Sequence, residues 1–307
     1  MPEGNSIHRF AREHTRDFGG RSVRVSSPQG RFVREARRLD GRIFQRAEAR
    51  GKHLFHHWEG GLIVHLHLGM FGWFYRRGVA DRDPRPTVRM RLSTREVTWD
   101  LIGPPTSELV TAEERGRILA RLGPDPLGPA SGAGAFARAL VSNRKSIGDA
   151  LLDQRVAAGV GNIYRAEALF LAGIHPLRPA ARLDRQDAER LWKILRDLMR
   201  RGAREGRTAT VAPEELDAAE KRSGVEAFYV YQQKRCRRCG SRIRRFALTG
   251  RVMYVCPRCQ PRRPAAGGGS QGTRSPSAAG SRAARARRGA PERKEASGPP
   301  SGAPAPR

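Results

Sequence analysis

Four cysteines constrain this chain more than any other feature. Cys236 and Cys239 make one C-x2-C knuckle, Cys256 and Cys259 a second, sixteen residues lie between them, and no other cysteine occurs. Two such knuckles bring four thiolates to the spacing of a tetrahedral Zn²⁺ site. Four protein thiolates leave no open coordination position, so one structural zinc is expected, with an iron or redox role as the alternative. Ile243 to Leu248 and Val252 to Val255 flank Thr249-Gly250, which predicts a zinc-ribbon β-hairpin with Arg251 at or beside its tip. Many unrelated proteins carry such a ribbon, so it does not specify a function.

Metal is expected rather than disulfides because the chain reads as intracellular. No apolar run approaches the ~20 residues that span a bilayer, and the start lacks the apolar core of a signal peptide. A reducing cytoplasm disfavours disulfides. The net charge of +29 points to a polyanionic partner. Arginine outnumbers lysine 53 to 6, a GC-rich coding bias that explains Arg in place of Lys but not 59 basic residues against 30 acidic ones. Nucleic acid is the expected partner, a membrane is not, and the expected location is the cytoplasm, in association with the nucleoid.

At 307 residues the chain has room for two or three domains, and a hydrophobic fraction of 38% suggests that part of it stays unfolded. Ser6 is placed to cap a first helix on which Ile7, Phe10, Ala11 and Phe18 share a face. After Gly19-Gly20 the period changes to two. Leu62, Val64, Leu66 and Leu68 alternate with Ile63, His65 and His67, and Val88, Met90 and Leu92 repeat the pattern. Short segments around Val23-Val25, Ile43-Phe44, Leu54-Phe55 and Val97-Thr98-Trp99 add further strands. Many short alternating strands favour an antiparallel sandwich or barrel, here with one leading helix. Leu122-Gly123-Pro124-Asp125-Pro126-Leu127-Gly128-Pro129 reads as a hinge. Helical patterns follow at Phe136 to Val141, Ile147 to Leu152, Ile163 to Leu171 and Asp184 to Arg201, the last with Leu191, Leu195, Leu198 and Met199 as its buried stripe. From Pro261 onward, proline aside, no apolar residue is larger than alanine, and ten basic residues face two acidic ones. That composition predicts a disordered basic tail. The fold class expected is α+β and multidomain. Its parts are a sandwich domain at 2–122, a hinge at 123–133, a helical domain at 134–222, a finger at 223–260 and a tail at 261–307.

Two further stretches carry chemistry. Met1 precedes a small residue, and its removal would leave Pro2 with a free secondary amine. An α-amino group titrates near ~8, so an appreciable fraction is a neutral nucleophile at pH 7. Attack on an aldehyde-level carbon would give an iminium, with Glu3 beside it as a proton carrier. The other reading is a proline in a frayed start. In the segment from Leu151 to Tyr164, Gly159-Val160-Gly161-Asn162 breaks one helix and opens the next. It reads either as a phosphate-binding turn at a helix N-terminus or as an ordinary helix connection.

Pro2-Glu3-Gly4, Gly51-Lys52-His53-Leu54, His67-Leu68-Gly69-Met70, the Leu152-to-Tyr164 segment and the four-cysteine finger occur in that order. Together they closely resemble the formamidopyrimidine-DNA glycosylase/endonuclease VIII family of base-excision repair enzymes, over about residues 2 to 260. The resemblance implies a β-sandwich domain and a helix-two-turn-helix domain with a zinc finger, gripping damaged double-stranded DNA in the cleft between them. Single-stranded or bubble DNA also remains open as substrate, and a monomer is expected. By motif, Pro2 would attack C1′, Glu3 would protonate the sugar oxygen as the ring opens, and Lys52 would hold phosphate and assist chemistry. Asn162 and Arg251 would clamp phosphates. Met70 would fill the gap left by the extruded base, against the plain reading of a core methionine at a strand end. Lys52 in turn has the plain reading of a surface amine, although lysine is scarce here and arginine cannot carry a proton near neutral pH. His53, His56, His57, His65 and His67 are read as polar strand faces near DNA rather than a second metal site.

The chain departs from the pattern in three places. Pro2-Glu3-Gly4-Asn5-Ser6 stands where relatives specialised for oxidised purines have Pro-Glu-Leu-Pro-Glu, which favours the endonuclease VIII-like branch and oxidised pyrimidines. Ile102 stands where relatives often place arginine, which puts probing of the opposite strand in doubt. The tail is an extension that most members lack. The expected function is a DNA glycosylase and abasic-site lyase, and zinc is the one cofactor. The alternatives are a non-catalytic damaged-DNA binder and a zinc-ribbon architectural protein.

Overall fold

The computed structural model describes residues 2–78, 83–129, 132–218, 220 and 227–262. The expected disordered tail therefore lies outside the described residues, apart from its first two. Helix α1 (Gly4–Phe18) starts three residues earlier than Ser6 would dictate, with Glu3 at its N-cap and Ser6 inside it. The cap is unusual because the Glu3 side chain makes no bond to its own helix. Ile7, Phe10, Ala11 and Phe18 are buried, as their spacing predicts.

Around α1 the chain builds two antiparallel sheets. The first, in the order β1-β3-β4-β5-β9, joins Arg21–Ser22, Ile43–Arg50, His53–Trp58, Ile63–His67 and Thr106–Val110. The second, in the order β2-β7-β8-β6, joins Arg24–Ser26, Val88–Ser93, Thr98–Ile102 and Trp73–Arg77. Val23, fully buried, is the point at which the chain passes from one sheet to the other. The shared core holds Phe10, Phe18, Phe44, Trp58, Phe74, Trp99 and neighbouring aliphatics.

Three features of this domain differ from the sequence reading. Helices α2 (Val33–Leu39) and α3 (Ala112–Ala120) accompany the leading helix. The Thr111 hydroxyl accepts from Glu114 N and the Glu114 carboxylate from Thr111 N, a reciprocal capping box that starts α3. On the face of the first sheet away from the aromatic core, Arg115 of α3 reaches Glu48 and lies over the Phe55 ring. The alternation in β5 consequently does not separate a wet face from a dry one, since Ile63 and His65 are buried as well as Val64 and Leu66. The histidines also divide between faces. His56 points into the aromatic core and pairs with His14 of α1 at 3.0 Å, both fully buried. His53, His57, His65 and His67 occupy the opposite face of the sheet.

The helical half contains α4 (Gly132–Val141), the four-residue α5 (Ile147–Ala150), α6 (Asn162–Leu171) and α7 (Arg185–Glu205). Asp184 caps α7 through Asp187 N, and Gly206, at φ 76°, closes it in the left-handed conformation. The hairpin of β10 (Arg244–Leu248) and β11 (Arg251–Val255) shares a core with these helices, in which Phe136, Tyr164, Leu191, Leu195 and Met253 are buried. Buried Glu167 of α6 accepts from the backbone N–H groups of Tyr229, Val230 and Tyr231, which ties the segment leading into the finger to the helices. The two halves meet along α1 and α7. Arg9 donates to Gly206 O at 2.7 Å and Arg12 to Ala203 O at 2.8 Å, placing cations at the negative end of α7.

Candidate functional site

The site forms where the start of α1 meets the turn before α6. Gly4 N donates to Gly159 O at 2.9 Å, which pins the two segments together. Gly159 has φ +89°, and a Cβ on Gly161 would lie 2.4 Å from the Glu3 carboxyl carbon, so the approach requires glycine at both positions. The Glu3 carboxylate accepts from Gly161 N at 2.9 Å, Ile163 N at 2.8 Å and Tyr164 N at 3.3 Å. Glu3 thus caps the N-terminus of α6 rather than α1. These are the amides that the sequence reading offered to a phosphate. Burial pushes the Glu3 pKa above the ordinary carboxylate range, against the opposing pull of Lys52 and the three amides.

Lys52 follows Gly51 in the turn between β3 and β4, half-buried, and donates from Nζ to Val160 O at 2.8 Å. Burial lowers its pKa, Glu3 works in the opposite direction, and Arg251 adds to the lowering. Gln154 braces the same turn, donating to Val160 O and accepting from Gly159 N. Pro2 is buried at the head of α1, beside Glu3 in the chain.

Asn162, at the first position of α6, donates to Val252 O of the finger at 3.1 Å, next to Arg251 at the hairpin tip. Thr249 and Gly250 both have positive φ, 50° and 68°, the requirement of a two-residue primed turn. The Thr249 hydroxyl donates to Asp149 of α5. Arg251 reaches across the cleft to the Met70 sulfur at 2.8 Å. A chain of contacts through the Gly159-to-Ile163 turn and the hairpin tip therefore links Glu3, Lys52, Asn162, Arg251 and Met70 along one cleft, with buried Pro2 next to Glu3 in the chain.

Two residues beside these side chains, Phe71 and Arg165, escaped the sequence reading. Phe71, beside the exposed Met70 on the turn that follows β5, is 82% exposed. Arg165 is fully buried and donates to Asn162 Oδ1 at 2.5 Å, so it orients the Asn162 amide. His67, already read from its motif, is half-buried and accepts from Gly69 N at 3.2 Å, and burial first and the Lys52 charge second lower its pKa. An arginine three residues past Asn162 in a mostly apolar helix was a readable signal. Phe71 had none beyond its neighbour Met70.

The four cysteine sulfurs lie within 4.8 Å of one another, with Cys236 to Cys259 at 3.9 Å and Cys239 to Cys256 at 3.4 Å. A tetrahedral Zn²⁺ with bonds of about 2.3 Å needs sulfur separations of about 3.8 Å, so the set fits zinc. Cys259 N points at Cys256 Sγ at 3.4 Å, a bond suited to a thiolate. When bound, the metal crosslinks the finger and performs no chemistry.

Comparison with known proteins agrees with this architecture. The formamidopyrimidine-DNA glycosylase N-terminal domain matches residues 1–115, the H2TH domain of the same glycosylase residues 122–213, and the zinc finger found in FPG and IleRS residues 233–262. Endonuclease 8 1 of Mycobacterium bovis is 43% identical over 274 residues, covering 85% of this chain and all of that protein. The chain belongs to the formamidopyrimidine-DNA glycosylase/endonuclease 8 family. It is thereby a DNA glycosylase/AP lyase of base-excision repair, with one structural zinc at its four cysteines. Formamidopyrimidine-DNA glycosylase of Thermus thermophilus is 34% identical over 230 residues, covering 72% of this chain and 84% of that one. The crystal structure of the Thermus glycosylase shares the fold at a TM-score of 0.68 and 31% identity, covering 86% of this chain and all of that one. The Lactococcus lactis enzyme, solved in complex with abasic-site DNA, does so at 0.71 and 22%, covering 85% of this chain and all of that one. Among the described residues no helix is long and apolar enough to cross a membrane.

Proposed function

We propose that this glycosylase binds damaged duplex DNA as a monomer, extrudes an oxidised pyrimidine and removes it through a Schiff base on Pro2. The observation that carries the reading is the Glu3 carboxyl, buried at the Pro2 end of α1, held by three amides and paired electrostatically with Lys52. Its raised pKa keeps the acid form available nearer neutral pH. With Met1 removed, the Pro2 nitrogen bonds to C1′ as the C1′–O4′ bond opens and Glu3 gives its proton to O4′. The base then departs with the electrons of its glycosidic bond, leaving an iminium on the ring-opened sugar. Loss of a 2′ proton then expels the 3′ phosphate and nicks the strand, and hydrolysis frees Pro2. Lys52 and His67 hold phosphate and bias the local charge. Asn162 and Arg251 clamp the backbone, and Met70 with Phe71 enters the gap left in the stack. The catalytic division is 2–122, with the hinge at 123–133, the DNA-gripping helices at 134–222 and the finger at 223–260.

The pyrimidine preference is supported by the Pro2-Glu3-Gly4 opening and by the higher identity to an endonuclease 8 than to a formamidopyrimidine-DNA glycosylase. Trapping tests the mechanism. Hydride reduction during turnover of thymine-glycol DNA should leave a protein–DNA adduct that mass spectrometry maps to the N-terminal peptide. A protein with a residue retained before Pro2 should bind the same DNA without nicking it. Normal cleavage by that blocked protein, or an adduct on Lys52, would overturn the mechanism.

A further inference from the structure

Asp125 belongs to the segment joining the two halves, yet its side chain has no exposure at all and its hydrogen bonds lead to the active-site turn. Oδ2 accepts from Gly51 N at 2.7 Å and pairs with His8 Nε2 of α1 at 2.9 Å, while Oδ1 accepts from Leu127 N at 2.8 Å. One carboxylate thus joins three elements: the helix that begins at the proposed nucleophile, the turn that carries Lys52, and the hinge. The hinge backbone grips the other side of the cleft. Ala158 N donates to Pro124 O at 3.0 Å and Gly123 N to Gln154 O at 2.9 Å. Lys52 is therefore fixed at both ends, its backbone beside the Asp125 carboxylate and its ammonium on Val160 O. Gly51, at φ +58°, lies where a Cβ would come within 3.1 Å of Ala158, so the turn has no slack to recover the position if its anchor is lost.

We propose that Asp125 is a positioning residue for Lys52: its buried carboxylate holds the Gly51-Lys52 turn against α1 and so sets where the ammonium stands relative to Glu3. The proposal rests on the catalytic reading of Lys52 above. Burial alone would raise the Asp125 pKa, but His8, Gly51 and Leu127 outweigh it and hold the carboxyl below its ordinary range, so it remains an acceptor at working pH. His8 completes the anchor by donating to Oδ2 while its ring stays partly exposed.

A double-mutant cycle separates positioning from general support of the fold. The full zinc-loaded chain would be measured in single turnover on a duplex with one abasic site, with binding read on a duplex carrying a non-cleavable abasic analogue. Asp125→Ala should slow nicking by about 10- to 100-fold, the cost of a misplaced catalytic group, with binding changed less than about threefold. Asp125→Asn, which keeps one oxygen for Gly51 N, should recover part of the rate. In a Lys52→Met background the further loss from Asp125→Ala should shrink below about twofold. The same factor lost in both backgrounds, or a wild-type rate for Asp125→Ala, would overturn the proposal. Should Asp125→Ala not fold, Asp125→Asn and His8→Ala carry the cycle against Lys52→Met under the same criteria. A wild-type rate for Lys52→Met alone would sink the catalytic reading of Lys52, an outcome visible without any Asp125 variant, and this proposal with it.

Discussion

Glu3 has two demands on it, an acid function and a structural seat on the amides of α6, and Gly161 is what reconciles them. A methyl group there would meet the carboxyl carbon at 2.4 Å, so Gly161→Ala should drive Glu3 off its donors. Base release should fall about 100-fold, near the usual worth of one general acid, while affinity for damaged duplex stays close to wild type. Unchanged base release would show that the seat is dispensable. The pH dependence follows from the same contacts. Glu3 must be protonated to act, and burial raises its folded pKa, so base release should persist above the ordinary carboxylate range and fall as pH rises through the raised value. Glu3→Gln should remove that alkaline limb along with most base release, yet still nick a preformed abasic site. Glu3 and Lys52 were readable because their neighbours form motifs. Arg165, Asp125 and Gln154 were not, because what they do depends on partners from other elements that only the folded chain supplies.

Elements with a strong local rule behaved as their sequences predict. The stripe of α7, the face of α1 and the Thr249-Gly250 hairpin each depend on spacing or on one turn. Helix α3 was equally local, since Thr111 and Glu114 spell a capping box, but its charged surface hid it among strands. What the period-two pattern could not convey was that residues on both faces of the sheet are buried, His65 on the outer face, where Arg115 lies over Phe55, and His56 on the inner one. That inner pair has a consequence for stability. Burial lowers the His14 pKa from 6.5 to about 3 and moves His56 in the same direction, so both stay neutral in the fold. Above pH 6.5 both states are neutral and the pair contributes no pH dependence. Below it the unfolded chain takes up protons that the core refuses, and stability should fall with pH down to about 3. The slope is about 1.4 kcal/mol per pH unit for each histidine. Thermal melting between pH 7 and 4.5 should show this decline, and His14→Phe with His56→Leu should flatten it; an unchanged slope would place the acid sensitivity elsewhere. The finger depends on its metal instead. Cys256→Ser should lose zinc and, because folding of such a segment is coupled to the ion, loosen Arg251 and weaken binding to damaged duplex. Zinc retained with full affinity would contradict the ligand set.

At the scale of the whole molecule, two cores close on a cleft through α1, the Asp125 hinge and the reach of Arg251 to Met70, and that part of the chain is what the relatives share. The residues after Gln260 differ from it in composition. They carry ten basic and two acidic residues and no large apolar side chain, so charge is what their sequence offers a partner. Phosphate contacts hold a protein on DNA without reading bases, and each phosphate neutralised contributes about 0.9 to the slope of log affinity against log salt. Ending the chain after Gln260 should therefore lower affinity for any duplex at low salt and flatten that slope by an amount equal to the cations engaged. The ratio of binding to damaged over undamaged DNA should not move, because the cleft that discriminates is intact. The comparison is a pair of salt titrations, full chain against truncated chain, each on matched duplexes with and without thymine glycol. Parallel slopes would mean that the tail does not engage DNA at all. A collapse of the damaged-to-undamaged ratio would mean that it reaches the cleft and takes part in recognition, a role that its charge alone does not predict.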